Sequence, residues 1–417
     1  MRAVTFDVSV GSYLVARSTS RFTDAALFSR LTGLRIGEVA DPEIPGPNWV
    51  RLKILSCGVC GTDVGNLSFR SSPLMEPFGS FPAVPGHEIL AEVEEVGPAV
   101  TRVEPGQRVV VDPMLSCTVR GYAAGEHCPS CRSGNPTTCE YAGEDGPLHV
   151  NGHGLARGLT MGYHRDLPGG WGEQTIAHES HLFPVPDALD DNTAVLVEPL
   201  SIGMRAVVRA GPASDSTAPV FVIGSGPIAF ATVWALRATG FGGPIIAQAK
   251  RPHESAMHKS LGATETVAPG AQAREALVGT GAMAYQPIVG PEVYSGGGFP
   301  LIFDCVGNRG SLSQALSYAA PRGRLVVLGC AGEVKKLDLS FLWARELQVQ
   351  GFVGYGPERW RGKTEHTFQI TLDALLETQA SIGDMVTHVF PLEQFRAALS
   401  AAGNHRRSGA VKVVIKP

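Results

Sequence analysis

The sequence predicts an α/β protein in two parts, a β-rich domain followed by a doubly wound parallel sheet. The chain has 417 residues, more than one hydrophobic core usually supports, so two domains are expected. Up to about residue 190, short β-type runs such as residues 49–54 and 107–112 are separated by Gly and Pro clusters. From residue 220 onward, apolar strands alternate with helical stretches, which is typical of a parallel sheet covered by helices.

The strands and helices of the second part lead to three predicted segments. Its strands are expected at residues 220–223, 245–247, 301–303 and 325–328, and its helices include residues 228–239 and 311–320. We therefore predict a first domain over residues 1–190 and a second over residues 191–352. The last segment, residues 353–417, contains a predicted helix at 368–377 and a strand at 410–415, and we expect it to return to the first domain.

The composition argues against several classes of partner. Charged residues make up 18% of the chain and the net charge is -4, with neither sign gathered into long runs, so we expect no nucleic acid and no anionic membrane as partner. Residues 216–236 carry no charge, but a Gly-Ser-Gly-Pro sequence in their middle breaks a spanning helix. The N-terminus has no secretory cleavage site, and eight cysteines are too dilute for a secreted disulfide scaffold. We expect a cytoplasmic protein with a small-molecule partner.

The stretch VFVIGSGPIA, residues 220–229, is a buried strand that leads into a Gly-x-Gly-x-x-Ala motif at the start of a helix. Gly224 permits the tight turn, Gly226 lets the backbone approach a pyrophosphate, and the small Ala229 allows close packing on the strand. Pro227 and Ile228 begin the helix, whose N-terminus favours an anion. We predict a dinucleotide site here; the alternative is a packing turn that binds no nucleotide.

The end of the second strand indicates which nicotinamide cofactor is bound. A carboxylate at this position usually pairs with the ribose 2′-hydroxyl of NAD, but here Ala249 stands at that position. Lys250 and Arg251 follow it and supply the positive charge that a 2′-phosphate requires. We therefore predict NADP(H) in preference to NAD(H); the alternative is that both cations are solvated surface charges.

Three further clusters precede the glycine motif: CGVCGTD at residues 57–63, PGHE at 85–88 and LVEPLSIG at 196–203. In this order they resemble the zinc-dependent medium-chain alcohol dehydrogenases, including the polyol and threonine dehydrogenases. That family joins a GroES-like catalytic domain to a Rossmann domain. The resemblance extends from about residue 35 to the C-terminus, whereas residues 10–35 fit the family less well.

The resemblance implies a catalytic zinc site. It assigns Cys60, His87 and Glu198 as the three protein ligands, which is a reasonable Zn²⁺ donor set with one position left for the substrate oxygen. Glu88 is expected either to exchange with the water ligand or to stay outside the coordination sphere. Asp63 is expected to orient His87 through the ring nitrogen that does not bind the metal.

The stretch CPSCRSGNPTTC, residues 128–139, places three thiols within twelve residues. A disulfide knot, a redox Cys-x-x-Cys pair and a metal site are all open, although a reducing compartment disfavours the disulfides. Members of the family carry a structural zinc on four cysteines, and Cys128, Cys131 and Cys139 reproduce the spacing of the last three. The first ligand would fall on Gly125, so we predict that Cys117 replaces it and that the zinc loop covers residues 117–139. Two zinc ions per chain are therefore expected.

The resemblance also implies the activity, a hydride transfer between NADP(H) and an alcohol, aldehyde or ketone, with zinc as Lewis acid on the substrate oxygen. Thr62 matches the hydroxyl that passes the substrate proton, but the histidine that usually follows in the relay is replaced by Gly65. The alternatives are a zinc-independent NADPH reductase of activated C=C bonds and a non-enzymatic nucleotide-binding protein. Family members pair edge strands across a two-fold axis, so we expect residues 324–328 to lie at such an edge in a homodimer or homotetramer.

Overall fold

A computed structural model of the chain describes residues 1–19, 28–329 and 332–417. The chain divides into two compact units. The first unit consists of Met1–Glu198, Tyr355–Pro357 and Gly383–Pro417, and the second of Pro199–Gly354 and Glu358–Ile382. Part of the segment 10–35, which fits the family less well, lies outside the described residues.

The strands, in chain order, are β1 (Arg2–Phe6), β2 (Leu34–Glu38), β3 (Trp49–Val59), β4 (Glu88–Val96), β5 (Arg108–Val111), β6 (Gly146–Val150), β7 (His153–Leu155), β8 (Gln174–His178), β9 (Leu182–Pro184), β10 (Val220–Ile223), β11 (Ile245–Gln248), β12 (Glu265–Val267), β13 (Met283–Tyr285), β14 (Val293–Ser295), β15 (Phe299–Asp304), β16 (Ala319–Val327), β17 (Gln348–Gly351), β18 (Pro357–Trp360), β19 (Lys363–His366), β20 (Val386–Pro391) and β21 (Lys412–Lys416).

The helices are α1 (Val10–Thr19), α2 (Gly61–Leu67), α3 (Pro129–Arg132), α4 (Asp191–Ala194), α5 (Val197–Ala210), α6 (Pro227–Ala238), α7 (Pro252–Ser260), α8 (Ala271–Gly279), α9 (Arg309–Tyr318), α10 (Ser340–Ala344), α11 (Thr367–Glu377), α12 (Phe395–Gly403) and α13 (His405–Ser408). In the described part of the chain, none of them is both long and apolar enough to cross a membrane.

The first unit is built on a seven-stranded sheet in the order β20-β21-β3-β4-β5-β9, with β8 also paired to β3. Its central strand β3 is mostly buried, since it carries apolar side chains such as Val50 and Leu52. Near the C-terminal end of β3, Gly58 pairs with Glu88 on β4 and with Val414 on β21. This register brings the residues after β3, before β4 and at the start of β21 together at one end of these three neighbouring strands.

The second unit contains a six-stranded sheet in the order β12-β11-β10-β15-β16-β17. Every pairing in it is parallel, and β10 at its centre is entirely buried. The strand order matches the doubly wound dinucleotide-binding sheet. In that fold the first three strands extend the sheet to one side, and the next three extend it to the other side of the first strand. The predicted fold class, a β-rich GroES-like domain with a Rossmann sheet, is confirmed by this topology.

Two details differ from the sequence-based expectations. The strand that contains residues 324–328 is β16, which lies inside the sheet, and the edge strand is β17, whose four residues are exposed. The expectation that residues 324–328 form the edge was therefore wrong, because one more strand follows in the chain. The return to the first unit also comes later than residue 353, since Glu358–Ile382, which includes α11, belongs to the second unit.

Two buried histidines predict a pH dependence of stability. Burial lowers the pKa of His164 and of His258 to about 4 in each case, against an ordinary value of 6.5. Both groups therefore stay neutral in the folded chain, and the stability they contribute is present above pH 6.5 and is lost as the pH falls toward 4. The loss is at most about 3 kcal/mol per histidine. We expect Tm, measured by calorimetry from pH 7.5 to 4.5, to fall less in His258→Gln than in the parent, and an identical pH dependence would contradict this assignment.

Candidate active site and metal sites

The chemistry-bearing residues of the first unit lie where β3, β4 and β21 meet. Cys60 follows β3 directly and is the N-cap residue of α2, while His87 and Glu88 stand at the start of β4. One ligand atom from each of these three residues lies within 4.8 Å of the others. The two motifs that are 27 residues apart in sequence are thus joined by the antiparallel pairing of β3 and β4. The hydroxyl of Thr62 lies 3.5 Å from the Cys60 sulfur.

Asp63 is fully buried and contacts both Cys60 and His87. Its Oδ2 accepts a hydrogen bond of 2.8 Å from the backbone N–H of Cys60, and its Oδ1 accepts one from the Tyr163 hydroxyl. Nδ1 of His87 lies 3.3 Å from the same Oδ1. Asp63 therefore holds the loop of Cys60 by a hydrogen bond and places its carboxylate beside the ring of His87.

The electrostatics of this pair are strongly coupled. Burial lowers the pKa of His87, but the Asp63 carboxylate and the Cys60 sulfur outweigh it, so the net shift is well above the ordinary value. Burial raises the pKa of Asp63, but the charge of His87 and the hydrogen bonds from His87, Tyr163 and Cys60 lower it overall. The contact of Tyr163 with Asp63 was not predicted from the sequence, because the two residues are 100 positions apart and no motif links them.

Glu88 is held by a lysine from the other end of the chain. The ammonium of Lys412 on β21 donates to the Glu88 carboxylate and, at 3.4 Å, to the carbonyl oxygen of Val59. Both side chains of the ion pair are buried, at 2% and 1% exposed. A Cβ added at Gly58 would lie 1.8 Å from Glu88 Oε2, so this close approach requires glycine. The feature of the sequence that could have indicated this ion pair is Lys412, a lysine next to the apolar residues of the last strand.

Glu198, at the start of α5, is a second buried carboxylate near this cluster. Burial and the negative charge of Glu88 raise its pKa to about 8, although His87 and Lys412 act in the opposite direction. Lys412 forms an ion pair with Glu88, and His87 lies beside Asp63, so neither cation neutralises Glu198 fully. A divalent cation at this place would stabilise the ionised carboxylate, and the Cys, His and carboxylate donors are those that Zn²⁺ accepts. The donor types therefore suit a catalytic zinc. Among the described residues, however, the ligand atoms that lie within 4.8 Å of one another are those of Cys60, His87 and Glu88, and Glu198 is not in that group.

The four cysteines of the loop 117–139 form a separate cluster. One sulfur from each of Cys117, Cys128, Cys131 and Cys139 lies within 4.8 Å of the others. The Cys117 and Cys139 sulfurs are 3.7 Å apart and those of Cys128 and Cys139 are 4.0 Å apart. A disulfide needs about 2.05 Å, whereas four thiolates about 2.3 Å from a tetrahedral zinc lie about 3.8 Å from one another. The cluster fits a four-coordinate metal and not a pair of disulfides.

The surroundings of the four-cysteine cluster also favour bound anionic sulfur. Backbone N–H groups of Cys128, Cys131 and Glu140 point at cysteine sulfurs at 3.3–3.4 Å. A hydrogen bond from Cys131 lowers the pKa of Cys139 to about 5, against the effect of burial. These contacts stabilise thiolates, which are the form that binds a metal.

A fully buried guanidinium lies next to the same cluster. Arg120 donates to the carbonyl oxygens of Leu115, Glu144 and Gly158. Burial lowers its pKa, and the strongest opposing influence is the charge of Cys139. A zinc with four thiolates carries a net charge of about −2, so a buried cation beside it is electrostatically favourable. Arg120 was not recognised in the sequence.

The glycine motif of the second unit adopts the expected turn. Gly224 follows β10 with φ +128, and Gly226 is the N-cap residue of α6. A Cβ added at Gly224 would lie 3.1 Å from the Val306 side chain and 3.4 Å from Ala229, while one added at Gly226 would meet nothing within 4 Å. Ala229 is buried in the first turn of α6, which Pro227 begins. The backbone at Gly226 is accessible to an anionic ligand.

The end of β11 has a feature that sequence reasoning missed. Ala249 is buried, Lys250 is exposed, and Nη1 of Arg251 lies 3.0 Å from Oε1 of Glu254 on α7. Glu254 is itself buried and accepts hydrogen bonds from the backbone N–H groups of Lys250 and Arg251. The sequence contains no carboxylate between residues 245 and 253, but the first turn of α7 supplies one immediately afterwards.

The chain matches two family profiles that lie in the order of the two units. The profile of the alcohol dehydrogenase GroES-like domain matches residues 46–187, and that of zinc-binding dehydrogenases matches residues 227–368. Together they cover more than half of the chain. The protein belongs to the zinc-dependent medium-chain alcohol dehydrogenase family and is an oxidoreductase of alcohols.

Individual proteins agree with this assignment. L-idonate 5-dehydrogenase of Vitis vinifera is 27% identical over 88% of this chain and 88% of its own length. Sorbitol dehydrogenase of Gallus gallus is 26% identical over 94% of this chain and 96% of its own. The solved structure of galactitol-1-phosphate dehydrogenase from Escherichia coli has the same fold, with a TM-score of 0.70, 21% identity and 100% coverage of both chains.

The buried ion pair of Glu88 and Lys412 gives a testable energy. Lys412→Met leaves the Glu88 carboxylate buried without its partner, so the free energy of unfolding should fall by about 3–5 kcal/mol. The double variant Glu88→Gln/Lys412→Met removes both charges and should recover most of that loss. Urea unfolding of the two variants and the parent measures both effects. Equal stability of the single and the double variant would show that the pair is not coupled.

Proposed function

We propose that this protein is a zinc-dependent dehydrogenase that transfers a hydride between NADP(H) and a polyol or a related secondary alcohol. The observation that carries the proposal is the buried cluster of Cys60, His87 and Glu88 beside Glu198 in the first unit. The cluster contains two of the three proposed zinc donors, Cys60 and His87. The third, Glu198, is buried near them, and the second unit has the glycine turn of a dinucleotide site.

Polyols are proposed because of the relatives. Two of them are named L-idonate 5-dehydrogenase and sorbitol dehydrogenase, and both names refer to sugar-derived polyhydroxyl compounds. They are similar to this chain over nearly its whole length. A carboxylate as third donor in place of a second cysteine also makes the site harder and more polar, which suits a hydroxyl-rich substrate.

The proposed ligands of the catalytic zinc are Cys60, His87 and Glu198, and those of the structural zinc are Cys117, Cys128, Cys131 and Cys139. When bound, the catalytic zinc supplies a Lewis acid for the substrate oxygen. Glu88 stays with Lys412 and acts from outside the coordination sphere, where it holds negative charge near the site without binding the metal. Nδ1 of His87 faces the Asp63 carboxylate at 3.3 Å, so the opposite ring nitrogen is the one proposed to bind the metal.

Proton movement is assigned to Thr62. Its hydroxyl is half-buried next to the Cys60 sulfur, which places it beside the proposed position of the substrate oxygen. A bound NADP⁺ would supply the hydride acceptor for oxidation of an alcohol, and Thr62 would take the proton of the substrate hydroxyl and pass it to solvent. Gly65 supplies no further relay group, so water completes the path.

The NADP preference rests on Arg251 and Lys250. Arg251 uses one guanidinium nitrogen for Glu254 and keeps further N–H donors that suit a phosphate dianion. The preference for NADP(H), a homodimer or homotetramer and a cytoplasmic location all stay predictions from the sequence.

Two zinc ions per chain are expected in fully loaded protein, measured by inductively coupled plasma mass spectrometry. Cys60→Ser should lose one zinc and nearly all activity but keep the fold, whereas Cys131→Ser should lose the other zinc and lower Tm. Cys57→Ala is the matched control, because Cys57 is a fully buried thiol outside both donor sets and its loss should leave both metals in place. A single zinc in the parent protein would overturn the structural site.

The activity and the cofactor preference are tested with a panel of polyols, simple alcohols, aldehydes and ketones, followed by nicotinamide absorbance with both cofactors. We expect the highest kcat/KM with a polyol and NADP⁺. Arg251→Ala should weaken NADP binding by about 1.5–3 kcal/mol, the range for a charge-assisted hydrogen bond, and hardly change NAD binding. Ala249→Asp should shift preference toward NAD, since its carboxylate holds the 2′-hydroxyl and repels a 2′-phosphate.

Two outcomes would contradict this assignment. A parent enzyme that already prefers NAD would show that Lys250 and Arg251 are solvated surface charges. Equal weakening of both cofactors in Arg251→Ala would show that the guanidinium supports the fold of the site through Glu254 instead of binding the 2′-phosphate.

A further inference from the structure

Helix α7 presents two buried polar side chains to the cofactor-binding end of the parallel sheet. Glu254 and His258 are four residues apart, so they lie on the same face of the helix, and they are 4% and 0% exposed. The glycine motif after β10 and the end of β11 both contact this face. Neither side chain belongs to the motifs that identify the family.

His258 makes a hydrogen bond to the glycine turn itself. Its Nε2 lies 3.0 Å from the carbonyl oxygen of Gly224, and because a carbonyl only accepts, Nε2 must carry the proton. The ring packs on Phe230 of α6 at a centroid distance of 4.5 Å and also lies next to the backbone of Gln248, the last residue of β11. The ring thus connects the ends of two neighbouring strands.

Glu254 makes the complementary set of contacts. Its carboxylate accepts from the backbone N–H groups of Lys250 and Arg251 at 2.8 and 3.2 Å. It also accepts a hydrogen bond from the side chain of Ser225, the residue between the two motif glycines. One carboxylate therefore holds both the glycine turn and the start of α7.

The glycine turn needs such external support. Gly224 has a φ of +128, and a residue without a side chain samples many backbone conformations in the absence of restraint. A site that is already in its binding conformation avoids the free-energy cost of ordering upon ligand binding. His258 restrains the turn through the carbonyl oxygen of Gly224, and Glu254 restrains it through the side chain of Ser225.

We propose that Glu254 and His258 are positioning residues that hold the glycine turn against the end of β11, so that the pyrophosphate and ribose sites of the nicotinamide cofactor are preformed at a fixed separation. This inference rests on the proposed cofactor function of the second unit. It assigns to α7 a role in affinity for both cofactors, distinct from the NADP selectivity assigned to Arg251.

The test is the Kd for NADPH and for NADH in His258→Leu, measured by the change in nicotinamide fluorescence. Leucine is of similar size but cannot donate to the Gly224 carbonyl. We expect both Kd values to rise about 3- to 10-fold, the range for one neutral hydrogen bond. The KM for the alcohol, the kcat at saturating cofactor and the zinc content should stay unchanged. His258→Gln, whose amide can donate at the position of Nε2, should restore most of the affinity.

His164→Leu is the matched control. His164 is also fully buried and its Nε2 lies 2.7 Å from the Ala156 carbonyl oxygen, but it belongs to the first unit. It should lower Tm and leave both cofactor Kd values unchanged. Unchanged Kd values in His258→Leu, or equal effects of the leucine and glutamine variants, would overturn the positioning role. A parent protein that binds neither cofactor would instead contradict the proposed function.

Glu254→Ala separates the second member of the pair. It removes the acceptor for Ser225 and also frees Arg251, so we expect it to weaken NADH binding as His258→Leu does. In the double variant the loss should be smaller than the product of the two single losses, because both residues restrain the same turn. Fully multiplicative losses would show that the two residues act independently, which would contradict a shared positioning role.

Discussion

The balance of buried charge at the meeting point of β3, β4 and β21 is the constraint on which the first unit depends. His87 faces Asp63 and Lys412 faces Glu88, so each of these pairs is close to neutral. Glu198 is buried near both pairs, and burial together with the charge of Glu88 raises its pKa to about 8. Burial of an ionised group without compensation is costly, so the fold creates a place where a divalent cation is stabilising. The proposed chemistry uses that cation.

The same principle explains two other regions of the chain. Four cysteine sulfurs lie close together beside the buried guanidinium of Arg120, so a bound metal and this cation would share the charge of the thiolates. In the second unit, Glu254 and His258 satisfy backbone groups at the ends of two parallel strands. Near each of the three sites, buried polar side chains such as Asp63, Arg120 and Glu254 hold the backbone of the loops that carry the proposed ligand-binding residues.

Much of this could be predicted from local sequence. The motifs around Cys60, His87 and the glycine turn identified the fold class and the family, because their chemistry depends on short spacings. The partners that come from distant segments could not be predicted in this way, since Lys412 meets Glu88 across 324 residues and Tyr163 meets Asp63 across 100 residues. The edge strand was misplaced because β17 is short and polar and has little of the apolar pattern of the other strands.

We propose that the buried charge cluster of the first unit holds a catalytic zinc. The most direct measurement is anomalous diffraction on crystals of the fully loaded protein, with data on both sides of the zinc absorption edge. We expect two anomalous peaks per chain, one bonded to Cys60, His87 and Glu198 and the other to the four cysteines of the loop 117–139. A first unit whose only anomalous peak lies among the four cysteines, or a zinc at the first position bonded to Glu88 with Glu198 displaced, would contradict it.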